Sequence, residues 1–442
     1  MVASCADQQA DGGGAAPSKP VIERPEGSDA LEGFLAPLDT SSFSETGLAA
    51  LEARVQGFVD NGEAGGVATL LVKDGKIVQH VEAGLQNVET GAPISQDTIF
   101  RIYSMTKPII GVAMMMLYEE GAFSLDDPIS KFVPEFADLS VVGPELADGS
   151  RSRDPLERAP TMRDLLSHTA GFSYGFLDTD PLAPIYREKQ ILASPNLDVF
   201  IERLADAPLL HQPGAQWNYS VAVDVQGAII ERITGKSLGE YLQEAMFDPL
   251  GMKDTGFRVP DSDFSRLADG FMVDPETGAL AKLSEEQING FGVVYREGAP
   301  LFEAGGYGLA STLIDYARFC QMLANGGELA GKRYLEEETI DLMRTNILPE
   351  DQPLETPGLM GDSGKPGTGF GLNFGVVYNA ETSPTPFGQG TYFWGGLAST
   401  WFWIDPEYDL FFIGMVQVYP AAGPVADFRR ETADIVYSAL NK

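Results

Sequence analysis

Ser104 and Lys107 stand three residues apart in Phe100-Arg101-Ile102-Tyr103-Ser104-Met105-Thr106-Lys107-Pro108, directly ahead of the apolar run Ile109 to Leu117. That run reads as a buried helix, with Gly121 closing it. Residues three apart on a helix face the same side, about one turn apart. A hydroxyl and an amine so placed can pass a proton between them. This is the arrangement of serine acyl transfer with lysine, rather than histidine, as the base. At ordinary composition roughly one such tetrad arises by chance in a chain of this length, so other residues must decide.

Two other serines compete. Gly171-Phe172-Ser173-Tyr174-Gly175 matches the G-x-S-x-G elbow, which must follow a buried strand and open a helix. Here it follows Leu165 to Ala170, which reads as a helix end, and the last of the three histidines is His211. Gly361-Asp362-Ser363-Gly364 resembles a chymotrypsin-type nucleophile loop, but that fold is all-β, and His80 sits inside a strand. His80, His168 and His211 lack metal-ligand spacing, and each reads as a locally satisfied side chain. No phosphate-cradling glycine motif is present, and no cofactor is expected.

A Ser/Lys enzyme needs a third protic group and an oxyanion hole. Tyr219, in Pro213-Gly214-Ala215-Gln216-Trp217-Asn218-Tyr219-Ser220, precedes a predicted helix. The helix dipole and Lys107 would both favour its phenolate. A core tyrosine capping a loop is an equal reading. In Trp394-Gly395-Gly396-Leu397 two glycines let a substrate approach the backbone. The N–H groups of Leu397 and Ser104 could then face a developing oxyanion; a bulged strand is the plain alternative.

The elements that must hold these residues follow a pattern. A helix is predicted over Thr46–Asn61. A hairpin follows, Val67–Lys73 and Lys76–Val81, turning at Asp74-Gly75. Helices and loops then run through Thr161–Asp164, Asn196–Ala205, Ser220–Thr234 and Ser237–Phe247, with a hairpin over 269–282. A helix over Thr312–Asn325 precedes strands at Phe370–Tyr378, Gly390–Gly395, Thr400–Ile404 and Leu410–Val418, and Ala422–Leu440 closes the chain. The fold class is α+β: one antiparallel sheet from both ends, flanked by helices, with an inserted helical domain. The expected divisions are a low-complexity tether at 1–42, an α/β domain from 43–121 and 306–442, and the insertion at 122–305.

Among the 442 residues, 30 Lys+Arg against 64 Asp+Glu give a net charge of −34. So acidic a balance argues against nucleic-acid and anionic-membrane partners. No window reaches the length of a membrane span. Cys320 falls on an apolar helical face and reads as core. Val2-Ala3-Ser4-Cys5 resembles the end of a lipoprotein signal. A trimmed signal, implying a lipid anchor at Cys5 and a periplasmic or membrane-attached location, and a chance match in a cytoplasmic protein stand level. Oligomeric state is open.

Six segments, in order, resemble the serine β-lactamase/penicillin-binding-protein superfamily, and within it the family VIII carboxylesterases related to class C β-lactamases. They are Phe100 to Lys107, Leu165 to Gly171, Pro213 to Ser220, Gly305 to Thr312, Gly369 to Leu372, and Trp394 to Gly396. Two departures separate the chain from β-lactamases. Tyr219-Ser220-Val221 stands for Tyr-x-Asn, and Trp394-Gly395-Gly396 stands for Lys-Thr-Gly. A tryptophan cannot hold a β-lactam carboxylate. The resemblance therefore implies an esterase for short- to medium-chain neutral esters, with at most weak β-lactam hydrolysis. It implies catalysis by Ser104, Lys107 and Tyr219, and a non-catalytic Ser173. Trp394, Trp217, Tyr103, Phe172 and Tyr174 each read either as lining of an apolar pocket or as core. β-Lactamase, D-amino-peptidase, amidase and acyltransferase chemistry on the same scaffold stay open, as does a non-catalytic penicillin-binding-like protein.

Overall fold

The computed structural model describes residues 33–146, 149–176, 179–274, 277, 279–290, 292, 295–296, 302–349, 366–420 and 424–441. Its frame is an eight-stranded antiparallel sheet. The strands are β1 (Gly66–Lys73), β2 (Lys76–Asn87), β3 (Ala92–Pro93), β4 (Thr368–Phe370), β5 (Gly375–Val377), β6 (Tyr392–Gly395), β7 (Trp401–Asp405) and β8 (Leu410–Val416). Their spatial order is β4-β5-β6-β7-β8-β1-β2-β3. β1 thus pairs with β8, Val67 opposite Val416 and Lys73 opposite Leu410. The Asp74-Gly75 turn forms as expected, with φ 51° and 67°, the left-handed pair a two-residue hairpin requires.

Both faces of this sheet are covered, which explains why β8 is apolar at nearly every position instead of alternating. Phe411, Ile413 and Met415 enter one core layer, and Leu410, Phe412 and Val416 the other. The second layer is closed by α1 (Glu45–Asp60) and the last helix, Pro424–Ala439, whose Phe58 and Phe428 rings stack at 4.0 Å. On the opposite face lie α2 (Thr106–Glu119) and the helix Leu313–Ala324, contiguous with the core of the inserted helices. The longest of those inserted helices is α3 (Ala222–Thr234); Leu313–Ala324 is α4 and Pro424–Ala439 is α5. No described helix is long and apolar enough to cross a membrane.

The predicted elements recur with several differences; Leu410–Val418, for one, ends at Val416, and Val418–Tyr419 pairs with Phe271–Met272 in a separate sheet. Phe370–Tyr378 is not one strand. It breaks at Asn373, which adopts φ 63° and exchanges side-chain amide bonds with Gln226 of α3. The first hairpin's second strand continues to Asn87 rather than ending at Val81. A further hairpin, Ser140–Glu145 with Arg151–Pro155, is largely exposed and carries no apolar alternation that would announce it. The Thr161 capping box is present, with Thr161 Oγ1 accepting from the Asp164 N–H and Asp164 accepting from the Thr161 N–H. Cys5 and Ser363 lie outside the described residues.

Candidate active site

Ser104 lies one step earlier than a helix N-cap. The α-helix opens at Thr106, and Ser104 occupies a single 3₁₀ turn, Tyr103–Met105, feeding into it. Pro108 is the third residue of α2, where the missing N–H breaks no intrahelical bond. Tyr103 carries φ 43°, an unfavourable left-handed conformation for a tyrosine, worth about 1–3 kcal/mol of local strain. Its surroundings hold it there. The strand Ile99–Arg101 pairs with Ala310–Thr312, and the Ile102 N–H donates to the Leu309 carbonyl at 3.2 Å. Tyr316 of α4 donates its hydroxyl to the Met105 carbonyl at 3.0 Å.

Lys107 is fully buried, and its ammonium nitrogen has three oxygen neighbours. They are Ser104 Oγ at 3.3 Å, the Tyr174 hydroxyl at 2.8 Å and the Gly306 carbonyl at 2.6 Å. It also lies 4.5 Å from the Tyr219 ring centroid. Burial pushes the Lys107 amine down to about 7. The opposing influence is Asp224, in the first turn of α3 and also fully buried, whose negative charge favours the ammonium. Asp224 is itself raised by burial. Gly306 links the two: its N–H donates to Asp224 Oδ1 at 2.9 Å while its carbonyl accepts from Lys107. A proton is therefore easily removed from Lys107 near neutral pH, which suits a base.

The Tyr219 hydroxyl donates to Ser104 Oγ at 2.7 Å. Burial is the largest influence on this phenol and raises its proton affinity above the ordinary value. The shift runs opposite to the lowering expected from the helix dipole and the lysine, and the hydrogen bond to Ser104 opposes it only in part. The segment Leu165–Gly171 holds it in place. His168 accepts the Asn218 N–H on its carbonyl at 2.9 Å and meets Ser220 Oγ through Nδ1 at 3.0 Å. Asn218 Nδ2 donates to the Phe172 carbonyl at 2.8 Å.

Ser104 opens into a cavity of about 870 Å³, lined also by Tyr103, Tyr174, Tyr219, Phe302 and Leu397. None of its described lining residues is charged. Three expected lining residues are elsewhere. Trp394 and Trp217 are buried behind Tyr219, at ring separations of 5.7 and 6.2 Å, and Phe172 packs on Phe136 in the core. The reason is steric: large rings that fill the space between the sheet and the Tyr219 segment cannot also face the cavity. Gly395 ends β6, opposite Trp401. Gly396 sits where a Cβ would come within 2.4 Å of the Ile102 carbonyl and of Thr400 Oγ1. The glycine lets the Leu397 turn press against the chain two residues before Ser104.

Ser173 is 2% exposed, its hydroxyl bonded to Asp180 and accepting the Gly175 N–H at 3.0 Å. Sequence reasoning missed Asp224 and Gly306, and gave Tyr174 only a lining role. The signal for Asp224 was an acid between Val223 and Val225 in an apolar helix start, five residues after Tyr219.

Residues 51–436 match the beta-lactamase family. The chain is 36% identical over 372 residues to Protein Rv1367c of Mycobacterium tuberculosis (strain ATCC 25618 / H37Rv), across 84% of this chain and 90% of that protein. It is 33% identical over 392 residues to Esterase EstB of Burkholderia gladioli, across 83% and 90%. Among solved structures, EstCE1, described as a hydrolase with promiscuous acyltransferase activity, is similar at a TM-score of 0.71 and 27% identity, across 89% of this chain and 99% of that one.

Proposed function

This chain belongs to the beta-lactamase family, and from that premise we propose that it is a serine carboxylesterase working through an acyl-enzyme on Ser104. One observation carries the reading: Ser104 Oγ sits between Lys107 Nζ at 3.3 Å and the Tyr219 hydroxyl at 2.7 Å, at the edge of a large cavity with an uncharged described lining. Relatives that are esterases or acyltransferases on the same fold support catalysis in general.

In the first half-reaction, neutral Lys107 takes the Ser104 proton as Oγ attacks the ester carbonyl. Tyr219, resting protonated, passes its proton to the departing alkoxide and is reprotonated from Lys107. The amides of Ser104 and Leu397 hold the oxyanion. Water attacks the acyl-enzyme in the second half, with the same groups working in reverse. The site then lies where an α/β domain (43–121 and 306–442) meets the inserted helical domain (122–305). With no cation among its described lining, the cavity suits neutral short- to medium-chain esters over carboxylate-bearing β-lactams.

The test is steady-state turnover of p-nitrophenyl butyrate beside nitrocefin, for the parent chain and Ser104→Ala. Ester turnover that falls at least about a thousandfold in the variant is expected. Absence of ester turnover, or turnover indifferent to Ser104, overturns the proposal. A second reading, acyl transfer to an alcohol instead of water, is favoured by the cavity's room for two organic groups. Alcoholysis products formed in aqueous methanol would reveal it.

A further inference from the structure

Arg429 lies on α5, on the far side of the sheet layer from the cavity, and is 1% exposed. Its Nη2 donates to the Gly396 carbonyl at 3.3 Å and to the Thr400 carbonyl at 3.1 Å. Its guanidinium carbon lies 5.7 Å from the Trp401 ring centroid. Gly396 and Thr400 are the two ends of one turn, closed by the Gly396 N–H donating to Thr400 at 2.8 Å and the Ser399 N–H donating to Gly396 at 3.0 Å. Leu397 is the residue of that turn that reaches the cavity.

We propose that Arg429 is a positioning residue for the oxyanion hole, holding and polarising the Gly396–Leu397 peptide from behind. The inference rests on the esterase reading of Ser104. The Gly396 carbonyl and the Leu397 N–H belong to one planar trans peptide and point in opposite directions. With the carbonyl committed to Arg429 and Ser399, the N–H is aimed away from α5. A flipped peptide would turn a carbonyl toward the oxyanion and leave a buried guanidinium short of an acceptor, which is costly. The cation also draws electron density from the carbonyl end. The N–H then donates more strongly as charge develops on the substrate. The clamp reaches the nucleophile too: Thr400 Oγ1 donates to the Ile102 carbonyl at 3.3 Å, and that carbonyl accepts the Met105 N–H at 3.0 Å. Both oxyanion donors thus hang from one rigid unit.

The experiment compares the full-length parent chain, Ser104→Ala, Arg429→Met and Arg429→Lys. Activity with p-nitrophenyl butyrate is normalised to sites titrated by a fluorophosphonate, and inhibition by butylboronic acid reports the tetrahedral adduct. For Arg429→Met we expect kcat per titrated site to fall about tenfold or more, KM to stay within about threefold, and boronate affinity to fall in parallel with kcat. Arg429→Lys, which keeps the cation, should recover part of both. A purely structural arginine would lower thermal stability and titratable sites while leaving kcat per site and boronate affinity alone, and that result overturns the proposal. Should the methionine variant fail to fold, Arg429→Gln takes its place: kcat per site and boronate affinity reduced together at unchanged KM support the clamp, and both unchanged remove it. A parent chain without Ser104-dependent turnover sinks the esterase reading and this inference with it. Normal parent turnover with indifferent variants sinks the inference only.

Discussion

Replacing Asp224 by asparagine should make the enzyme work at lower pH. On the proposed mechanism Lys107 must be neutral to accept the Ser104 proton, so its titration, which burial moves well below that of an ordinary lysine, would set the acid limb of kcat/KM. Asp224 is the charge that favours the ammonium. Lys107 reaches the Gly306 carbonyl at 2.6 Å and Asp224 reaches the Gly306 N–H at 2.9 Å. One residue's backbone between them puts the charges about 7 Å apart. At an effective dielectric near 20 their attraction is about 2.4 kcal/mol, or about 1.7 pH units. Burial lifts the Asp224 carboxyl only to about 6, so it is ionised where the parent limb falls. Asparagine keeps an oxygen for Gly306 and removes the charge. The sign follows: without the anion the ammonium loses support, the amine persists further into acid, and the limb moves down by about one to two units. The assay is kcat/KM for p-nitrophenyl butyrate between pH 4.5 and 9, with overlapping buffers at constant ionic strength. A limb that stays put, or moves up, would show that Lys107 is not the titrating base.

Other substitutions probe the cavity and its walls. Trp394→Lys would place an ammonium between Tyr219 and Phe370 rather than in the cavity. It should lower the melting temperature by ~5 °C or more and leave nitrocefin turnover no higher; a gain in β-lactam turnover would contradict the buried placement. Gly396→Ala drives a methyl into the Ile102 carbonyl and should cut kcat about tenfold or more at similar KM, read in the same ester assay. Leu192, on the cavity wall, replaced by tryptophan should shorten the preferred acyl chain. With about 0.8 kcal/mol per methylene, the octanoate-to-butyrate ratio of kcat/KM should fall about tenfold or more.

What could be read from residue order was whatever local chemistry writes into the chain. Asp74-Gly75 announces a hairpin because few other pairs take two left-handed conformations. Thr161 and Asp164 announce a helix start because they satisfy each other's backbone. Ser104, Lys107 and Tyr219 were legible as an ordered set. Their balance was not: the proton affinity of Tyr219 depends on its burial, and burial follows from how distant segments pack around it. Trp394 could be read as pocket lining or as core, and it is core; beside it, the space a Cβ would take at Gly396 already holds the Ile102 carbonyl and Thr400 Oγ1. Arg429, beside Arg430 on an amphipathic helix, looks like ordinary surface charge. Only the fold turns one of the two inward. Asp224 was hidden for the opposite reason, an acid in a helix's first turn being commonplace.

The pairing of β1 with β8 has a temporal consequence. Lys73 and Leu410 are neighbours in the sheet, yet a ribosome adding about 5–20 residues per second needs roughly 17–67 s to travel between them. Through that interval β1 and β2 can form only a hairpin, with the edge destined for β8 bare and apolar. The helical segment can meanwhile collapse on its own local contacts. The nascent chain is thus most vulnerable to aggregation while its later strands are still being made. Expression yield should therefore respond to chaperone supply and to slower growth temperature more than the stability of the finished protein would suggest.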